Sequence, residues 1–223
     1  MSISSLVVIT GANRGIGLEL ARHYASEGYE VVGVCRQSSD ELAKVARQVI
    51  EGVDVTTAEG IAKLKTGLAG KHISLLINNA GLLQDEVLGS IDFDSIRTQM
   101  EINAYAPLRV AEALIPLMGQ GSKIANITSR MGSIADNDSG GRYGYRASKA
   151  ALNAFGKSLA MDLKPKGIAV AQLHPGFVKT RMVNFGGLIT PEESARGLVE
   201  QIARLNLENT GSFWHSNGEE LPW

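Results

Sequence analysis

Residues 6–17 read LVVITGANRGIG, a short apolar run followed at once by three closely spaced glycines, Gly11, Gly15 and Gly17. The run predicts a buried strand, and the helical spacing of the apolar residues after it predicts a helix. Such a turn can hold a dinucleotide pyrophosphate, because glycine permits a tight bend, a close backbone approach and free amides at a helix start. The spacing is G-x-x-x-G-x-G and not the commoner G-x-G-x-x-G, so the motif by itself leaves a simple glycine-rich turn equally open.

The alternation of short apolar runs with helical segments continues along the whole chain and is typical of βαβ units around a parallel sheet. Because the runs are apolar almost throughout, helices are expected on both faces. The sequence thus predicts an α/β fold, a doubly wound Rossmann-type three-layer sandwich with a seven-stranded parallel sheet. The predicted strands are 6–10, 30–35, 48–53, 73–77, 123–128, 168–173 and 211–214. The predicted helices are 15–26, 40–47, 56–68, 93–118 with a bend or break near Pro107, 145–163 and 191–205.

Composition and charge set the class of protein. The chain has 223 residues, 44% of them hydrophobic, and its 22 basic and 23 acidic side chains give a net charge of −1. We expect one domain over 1–223 and a small-molecule partner, with no nucleic-acid or membrane partner. The single cysteine, Cys35, excludes an internal disulfide, and no metal-ligand spacing occurs, so we expect no metal. The sequence contains no signal or spanning segment, which predicts a cytoplasmic location.

Further motifs follow the predicted strands. NNAG at Asn78–Gly81 follows the fourth strand, Ser129 follows the fifth, YRASK at Tyr145–Lys149 opens the next helix, and Pro175-Gly176 follows the sixth strand. Together with the glycine turn, these motifs closely resemble the short-chain dehydrogenase/reductase family over nearly the whole chain. Asn103 stands where that family carries a catalytic asparagine on a helix.

The resemblance extends to one branch of the family. The stretch 133–153, the run His174-Pro175-Gly176 and the ending 211–223 resemble the C-factor and sniffer branch, which is associated with carbonyl reduction. His174 borders the predicted pocket, and structural hydrogen bonding is a simpler interpretation of it than chemistry.

Residue chemistry supports a catalytic set of Asn103, Ser129, Tyr145 and Lys149. Hydride transfer to a carbonyl leaves negative charge on its oxygen, and the Tyr145 hydroxyl is the candidate proton donor. Lys149, one helical turn away on the same face, is expected to lower the pKa of Tyr145 and to reach the cofactor ribose. Ser129 is expected to orient the carbonyl oxygen, and Asn103 resembles the residue that holds a water in the proton relay.

Each of these assignments has a simpler alternative. A tyrosine and a lysine four residues apart are, by themselves, more often a packed ring beside a solvated charge. Asn103 could instead cap or bend a helix, and Asn78–Gly81 could be a tight turn. The agreement of all motifs in order favours catalysis.

The end of the second strand predicts the cofactor. It carries no carboxylate to grasp the ribose hydroxyls of NAD, whereas Arg36, together with Arg14 in the glycine turn, can clamp a 2′-phosphate. We therefore expect NADP(H). The resemblance implies that the cofactor is bound by Gly11, Asn13, Arg14, Gly15, Ile16, Gly17, Arg36, Asp54, Val55, Asn79, Ala80, Gly81, Tyr145, Lys149, Pro175, Gly176, Val178 and Thr180.

The substrate pocket is predicted from the loops. A polar insertion at 136–142 separates Ser129 from Tyr145 by a few residues more than is usual in the family, and the lid at 177–189 is short. We expect an open pocket that accepts small carbonyl compounds. Its predicted substrate contacts are Ser129, Met131, Tyr145, Phe177 and Phe185.

Two functions are compatible with the sequence. The first is an NADPH-dependent oxidoreductase that reduces small aldehydes, ketones or quinones, with Tyr145 as proton donor. The second is an NADP-binding regulatory or redox-sensing protein with little turnover. The complete proton-delivery set favours the enzyme, because a sensor has no evident use for it.

Pairing of the helices around Asn103 and Tyr145 would give a homodimer, with a monomer as the alternative.

Overall fold

Seven parallel strands form one sheet in the order β3-β2-β1-β4-β5-β6-β7 in the computed structural model, which describes residues 5–223. The doubly wound α/β fold and its seven strands are confirmed, and no strand end differs from the sequence-based bounds by more than three residues. The strands are β1 Leu6–Thr10, β2 Glu30–Val34, β3 Gln48–Ile50, β4 Ile73–Asn78, β5 Lys123–Ile127, β6 Ala169–His174 and β7 Ser212–His215.

Helices cover both faces of the sheet. The α-helices are α1 Gly15–Ser26, α2 Asp40–Val45, α3 Ala58–Gly67, α4 Phe93–Met100, α5 Ala106–Leu114, α6 Tyr143–Leu163 and α7 Pro191–Arg204. Helices α1, α2 and α7 pack on one face, and α3, α5 and α6 pack on the other. Within residues 5–223, no helix combines the length and the apolarity that a bilayer span requires.

The strands are apolar on both sides because each side packs against helices. In β1, Val7 and Ile9 point into the core under α1 and α7, whereas Leu6 and Val8 point into the core under α5 and α6. Successive side chains of a strand alternate between the two faces, so a central strand of a three-layer fold must be apolar at every position. This requirement explains the continuous apolar run over residues 6–9.

The segment 93–118 is helical through Leu117, and its irregularity lies next to Pro107, near which the sequence predicted a bend or break. Helix α4 ends at Met100, a π-helical turn follows over Glu101–Tyr105, and α5 begins at Ala106. Pro107 stands in the first turn of α5, directly after the π turn, and has no N–H group to donate. The backbone stays helical through this turn, so the hydrogen-bond pattern changes just before the proline and the helix does not end there. Helix α6 begins at Tyr143, two residues before the predicted start.

A row of amide side chains crosses the sheet beneath α5 and α6. Asn78, Asn126 and Gln172 occupy matching positions in β4, β5 and β6. Asn78 Nδ2 donates to Asn126 Oδ1 at 2.9 Å, and Asn126 Nδ2 donates to Gln172 Oε1 at 2.9 Å. Gly156 of α6 lies directly over this row, because a Cβ built there would overlap the Gln172 amide. The glycine therefore sets how closely α6 approaches the sheet.

Substituting Gly156→Ala tests this close approach. The added methyl group must displace either α6 or the Gln172 amide, so we expect the free energy of unfolding to fall by about 1–3 kcal/mol. Urea denaturation measures it. Since alanine favours a helix by about 1 kcal/mol over glycine, the same change in a Gln172→Ala background should cost little or even stabilise. An equal loss in both backgrounds would contradict the contact.

Candidate active site

The glycine turn lies at the carboxyl end of β1, where the strand order reverses between β1 and β4 and where open α/β sheets bind ligands. Gly11 and Gly15 have positive φ angles of 65° and 54°, which side chains rarely adopt. A Cβ on Gly17 would overlap the carbonyl oxygen of Gly11. All three glycines are thus required by the backbone, and the cradle that they form fits a pyrophosphate.

Asn79 joins this cradle to β4. Its Nδ2 donates to the carbonyl oxygens of Thr10 and Gly11 at 3.0 and 3.1 Å. The Thr10 hydroxyl oxygen in turn accepts from the backbone N–H groups of Asn79 and Ala80, at 3.0 and 3.2 Å. These bonds fix the NNAG segment against the glycine turn, which places Asn79, Ala80 and Gly81 beside the predicted cofactor site.

Two arginines lie on the loops that follow β1 and β2. Arg14 caps the amino end of α1, and Arg36 follows β2; both are exposed. Asn13 Nδ2 donates to the Gln37 carbonyl oxygen at 2.9 Å and joins the two loops that carry the arginines. Within residues 5–223, neither guanidinium has a carboxylate at ion-pair distance. Both positive charges are therefore available to a phosphate.

Asp54 is held in place by Thr56. Its Oδ1 accepts from the backbone N–H and the hydroxyl of Thr56, at 2.9 and 2.6 Å. These hydrogen bonds hold the pKa of Asp54 below its usual value, with a smaller contribution from the charge of Arg36. Val55 beside it packs against the core under α3 and α5. The contacts of Asp54 and Val55 with an adenine ring stay a prediction.

Tyr145 and Lys149 occupy the first two turns of α6 and are both buried. Lys149 Nζ donates to the Ile127 carbonyl oxygen at 2.9 Å and lies 5.8 Å from the centre of the Tyr145 ring. Burial lowers the pKa of Lys149 to about 8. Burial also raises the pKa of Tyr145, and a hydrogen bond with Ser129 and the charge of Arg142 oppose that rise.

Two cations lie near Tyr145. Lys149, to which the sequence analysis assigned the lowering of the Tyr145 pKa, has its Nζ 5.8 Å from the ring centre, and that role stays a prediction. The charge of Arg142, which precedes α6, also lowers the pKa of Tyr145. The Lys149 ammonium is turned toward the Ile127 carbonyl, and its own pKa is lowered by burial. Sequence spacing showed that Lys149 shares a helix face with Tyr145, but it gave no sign of Arg142.

Ser129 is brought to Tyr145 by a short turn and not by the insertion. It follows β5, and its Oγ accepts from the Met131 backbone N–H at 3.1 Å as a single 3-10 turn begins at Arg130. That turn lies directly on α6, because a Cβ on Gly132 would come within 2.7 Å of the Lys149 backbone. The insertion 136–142 therefore leaves the distance between Ser129 and α6 unaffected.

Asn103 lies in the π-helical turn, fully buried. Its Nδ2 donates to the Leu82 carbonyl oxygen at 2.7 Å and to Ser148 Oγ at 3.0 Å, and its Oδ1 accepts from the Leu82 N–H at 2.8 Å. A Cβ on Gly81 would lie 3.3 Å from Asn103 Oδ1 and 3.7 Å from Lys149 Nζ. The Asn103 side chain thus fixes the segment after β4 against α6, and its part in a proton relay stays a prediction.

The loop after β6 closes the other side of the cradle. The Pro175 carbonyl oxygen accepts from the hydroxyls of Ser194 and Ser216, at 2.7 and 3.2 Å, and Gly176 has a positive φ of 87°. Val178 is buried and pairs with Ile189 through an isolated bridge. The Thr180 methyl group lies 3.5 Å from the position of a Cβ on Gly15. This loop therefore meets the glycine turn.

His174 packs beside this loop against another histidine. Its ring meets that of His215 edge to face, with the ring centres 4.8 Å apart. Its Nδ1 is buried and has no hydrogen-bond partner within residues 5–223, so the expected structural hydrogen bond is not formed at that atom. Burial and the neighbouring positive groups lower the pKa of His174 to about 3, so the ring is neutral at pH 7.

A cleft of about 360 Å³ opens beside the amino end of α6. Its walls are Asp85, Glu86, Val87, Met131 and Ser139–Arg142. Met131 and part of the insertion, both predicted as walls of the substrate pocket, line this cleft. Phe177 and Phe185 do not line this cleft; they stand on the lid, 48% and 65% exposed.

The acidic wall of this cleft was missed by sequence reasoning, although its position after a strand on the cofactor side gave a weak signal. Asp85 and Glu86 belong to the loop that follows β4 and the NNAG motif. Within the described residues 5–223, no group of three or more His, Cys, Asp or Glu side chains could hold a metal ion.

Known proteins share this architecture. Residues 5–186 match the short chain dehydrogenase family. A relative from Rhodococcus sp. (strain AD45), 1-hydroxy-2-glutathionyl-2-methyl-3-butene dehydrogenase, is 41% identical over 225 residues, which cover 98% of this chain and 100% of the relative.

Two solved structures are similar over the same extent. The carbonyl reductase Sniffer of D. melanogaster has a TM-score of 0.88 at 30% identity and covers 99% of this chain and 100% of its own. A carbonyl reductase from Pseudomonas aeruginosa PAO1 in complex with NADP has a TM-score of 0.87 at 32% identity, with the same coverage. The resemblance to the C-factor and sniffer branch is thereby confirmed, and this chain belongs to the short-chain dehydrogenase/reductase family.

Proposed function

We propose that the protein is an NADPH-dependent oxidoreductase that reduces small aldehydes, ketones or quinones to alcohols. The observation that carries the proposal is the buried pair of Tyr145 and Lys149 beside Ser129, next to the dinucleotide cradle. Burying a phenol and an ammonium together costs free energy of folding. Side chains whose pKa is shifted by such burial are typical of catalytic sites. The similarity to a carbonyl reductase in complex with NADP supports the same reaction class.

Each residue of the set has a defined task. When bound in the cradle, the nicotinamide supplies the hydride. Ser129 holds the carbonyl oxygen through its hydroxyl and stabilises the charge that develops there. Tyr145 donates its hydroxyl proton to that oxygen, and its raised pKa keeps the proton on the phenol until charge appears. Lys149 keeps a positive charge beside the tyrosine below a pH of about 8.

NADPH is the proposed cofactor because the exposed Arg14 and Arg36, on the loops after β1 and β2, have no carboxylate at ion-pair distance within residues 5–223. Both guanidinium groups can donate charge-assisted hydrogen bonds to a 2′-phosphate. Asp54, whose pKa the charge of Arg36 helps to lower, already accepts two hydrogen bonds from Thr56. A cytoplasmic location and a homodimer remain predictions. The Rhodococcus relative is a dehydrogenase of a glutathionyl compound, so carbonyl compounds with a glutathionyl group are further candidate substrates.

Substituting Tyr145→Phe tests the proton donor. We expect reductive kcat to fall roughly 100-fold to 10,000-fold while the Kd for NADPH stays within a factor of about two, because the hydroxyl delivers the proton but does not hold the nucleotide. Steady-state rates with small aldehydes and quinones, and fluorescence titration of NADPH, measure the two quantities.

The matched control is Tyr143→Phe, since Tyr143 is two residues away and half-exposed. It should leave both quantities unchanged. Full activity of Tyr145→Phe with chemistry rate-limiting would refute the assignment. NADPH binding by the unmodified protein without any turnover would favour the regulatory alternative.

Substituting Arg36→Asp tests cofactor choice. A lost charged hydrogen bond and a new negative charge should weaken NADPH binding by about 2 kcal/mol and leave NADH binding nearly unchanged. Titration of both nucleotides measures the difference. Arg47→Asp is the control, because Arg47 is also exposed but precedes β3, at the amino ends of the parallel strands and opposite the carboxyl ends where Arg36 lies. Equal affinities of the unmodified protein for the two nucleotides would contradict NADPH preference.

The pH profile tests Lys149. The pKa of Lys149 is lowered to about 8, so its charge is present below that pH and is lost as the pH rises through it. Reductive kcat should therefore fall above about pH 8. In Lys149→Arg, whose guanidinium stays protonated, the remaining activity should lose this alkaline limb. An unchanged limb in that variant would show that another group titrates.

A further inference from the structure

The cleft beside α6 carries a pair of opposite charges on its wall. Arg142 Nε donates to Asp85 Oδ1 at 2.6 Å, and the two side chains are 44% and 62% exposed. Exposed ion pairs of this kind contribute little to folding stability. Both charges therefore remain available to a ligand that enters the cleft.

Glu86, the other acid of the cleft, is already used by the fold. It is buried, its Oε2 accepts from the Gly144 N–H at 2.9 Å, and its Oε1 accepts from Ser95 Oγ at 2.7 Å and from Gln99 Nε2. It thus joins the amino end of α6 to α4. Asp85 and Arg142 are the cleft's remaining charged side chains within the described residues.

Arg142 is held in an unusual backbone conformation. Its φ is 52°, in the left-handed region that residues other than glycine seldom adopt, and Gly140 and Gly141 before it are also left-handed. Its backbone N–H donates to the Glu86 carbonyl oxygen at 3.1 Å, and its guanidinium contacts Met131 Sδ at 3.7 Å. Strain of this kind is concentrated at ligand sites, where it places a particular side chain.

The same guanidinium is joined to the candidate catalytic set through Met131. It contacts Met131 Sδ at 3.7 Å, and the Met131 backbone N–H donates to Ser129 Oγ at 3.1 Å. Arg142 also lies three residues before Tyr145, and its charge lowers the pKa of that phenol. A ligand anchored on Arg142 and Asp85 would therefore lie on the Met131 side of Ser129.

We propose that Asp85 and Arg142 form a subsite for a zwitterionic α-amino-acid head group, and that the substrates are carbonyl compounds carrying one, such as ketones conjugated to glutathione. This inference rests on the proposed reductase function. The head group's carboxylate pairs with Arg142 and its ammonium with Asp85, so each charge of the protein exchanges one partner for another. A purely anionic compound would leave Asp85 unpaired beside it, and a neutral compound would use neither charge.

Two ketones with the same reacting group test the subsite. S-(2-oxopropyl)glutathione carries the head group, and the 2-oxopropyl thioether of mercaptoethanol is its neutral counterpart. With NADPH, we expect kcat/KM at least 10-fold higher for the glutathione ketone. The anionic S-(2-oxopropyl)-N-acetylcysteine, which lacks the ammonium, should not share this preference. A ratio near one, or equal preference for the anionic ketone, would overturn the proposal and leave the reductase function intact.

Variants assign the preference to the two side chains. Asp85→Asn and Arg142→Gln should each reduce the ratio of kcat/KM for the glutathione ketone to kcat/KM for the mercaptoethanol ketone at least fivefold. An effect on Tyr145 changes both kcat/KM values by the same factor, so it does not change their ratio. The control pair is Asp94→Asn and Arg97→Gln, an exposed ion pair on α4 outside the cleft, which should leave the ratio unchanged. If Arg142→Gln does not fold, the test rests on Asp85→Asn alone. An unchanged ratio of the two kcat/KM values in Asp85→Asn would overturn the proposal.

A binding measurement separates the two hypotheses. If neither ketone is reduced, the proposed function fails, and the subsite is judged by calorimetry of S-methylglutathione with the NADPH-saturated protein. Binding that Asp85→Asn weakens at least fivefold would support the subsite on its own. Absence of binding, or equal binding by Asp85→Asn, would overturn it.

Discussion

The side-chain amide of Asn79 makes the contact on which the rest of the site depends. It donates to the last residue of β1 and to the first glycine of the turn, while Thr10 accepts from the backbone of the NNAG segment. These bonds join the carboxyl ends of β1 and β4 at the point where the strand order reverses. The glycine turn can pass this close to Asn79 only because Gly11 and Gly17 lack a Cβ. The cradle and the segment leading to Asn103 are thereby held in one frame.

Close packing of α6 positions the chemistry on that frame. Gly156 lets the helix approach the amide row of β4, β5 and β6, and Gly132 lets the turn after Ser129 lie against the Lys149 backbone. Tyr145 and Lys149 are buried as a result, which raises the pKa of the first and lowers that of the second. Burial therefore moves the two values apart, so the Tyr145 hydroxyl keeps its proton while Lys149 loses its charge as the pH rises through about 8.

The loops above this frame decide what enters. The insertion before α6 does not alter the placement of Ser129, but it carries Arg142 to the cleft and to the neighbourhood of Tyr145. Phe177 and Phe185 stand on the lid and away from the cleft, so the described wall beside α6 is more polar than the sequence suggested. Such loops vary while the scaffold holds the reacting groups, which lets one fold serve many substrates.

The sequence by itself determined the alternation of strands and helices, the glycine turn and the shared helix face of Tyr145 and Lys149. Each of these depends on periodicity or on neighbours a few residues apart, and such signals are local. Only the tertiary structure decided that the irregularity near Pro107 is a π-helical turn at Glu101–Tyr105, and that the charge of Arg142 also acts on Tyr145. It also decided that Asp85 faces Arg142. These features depend on burial and on contacts between residues far apart in the chain, and no local pattern records them.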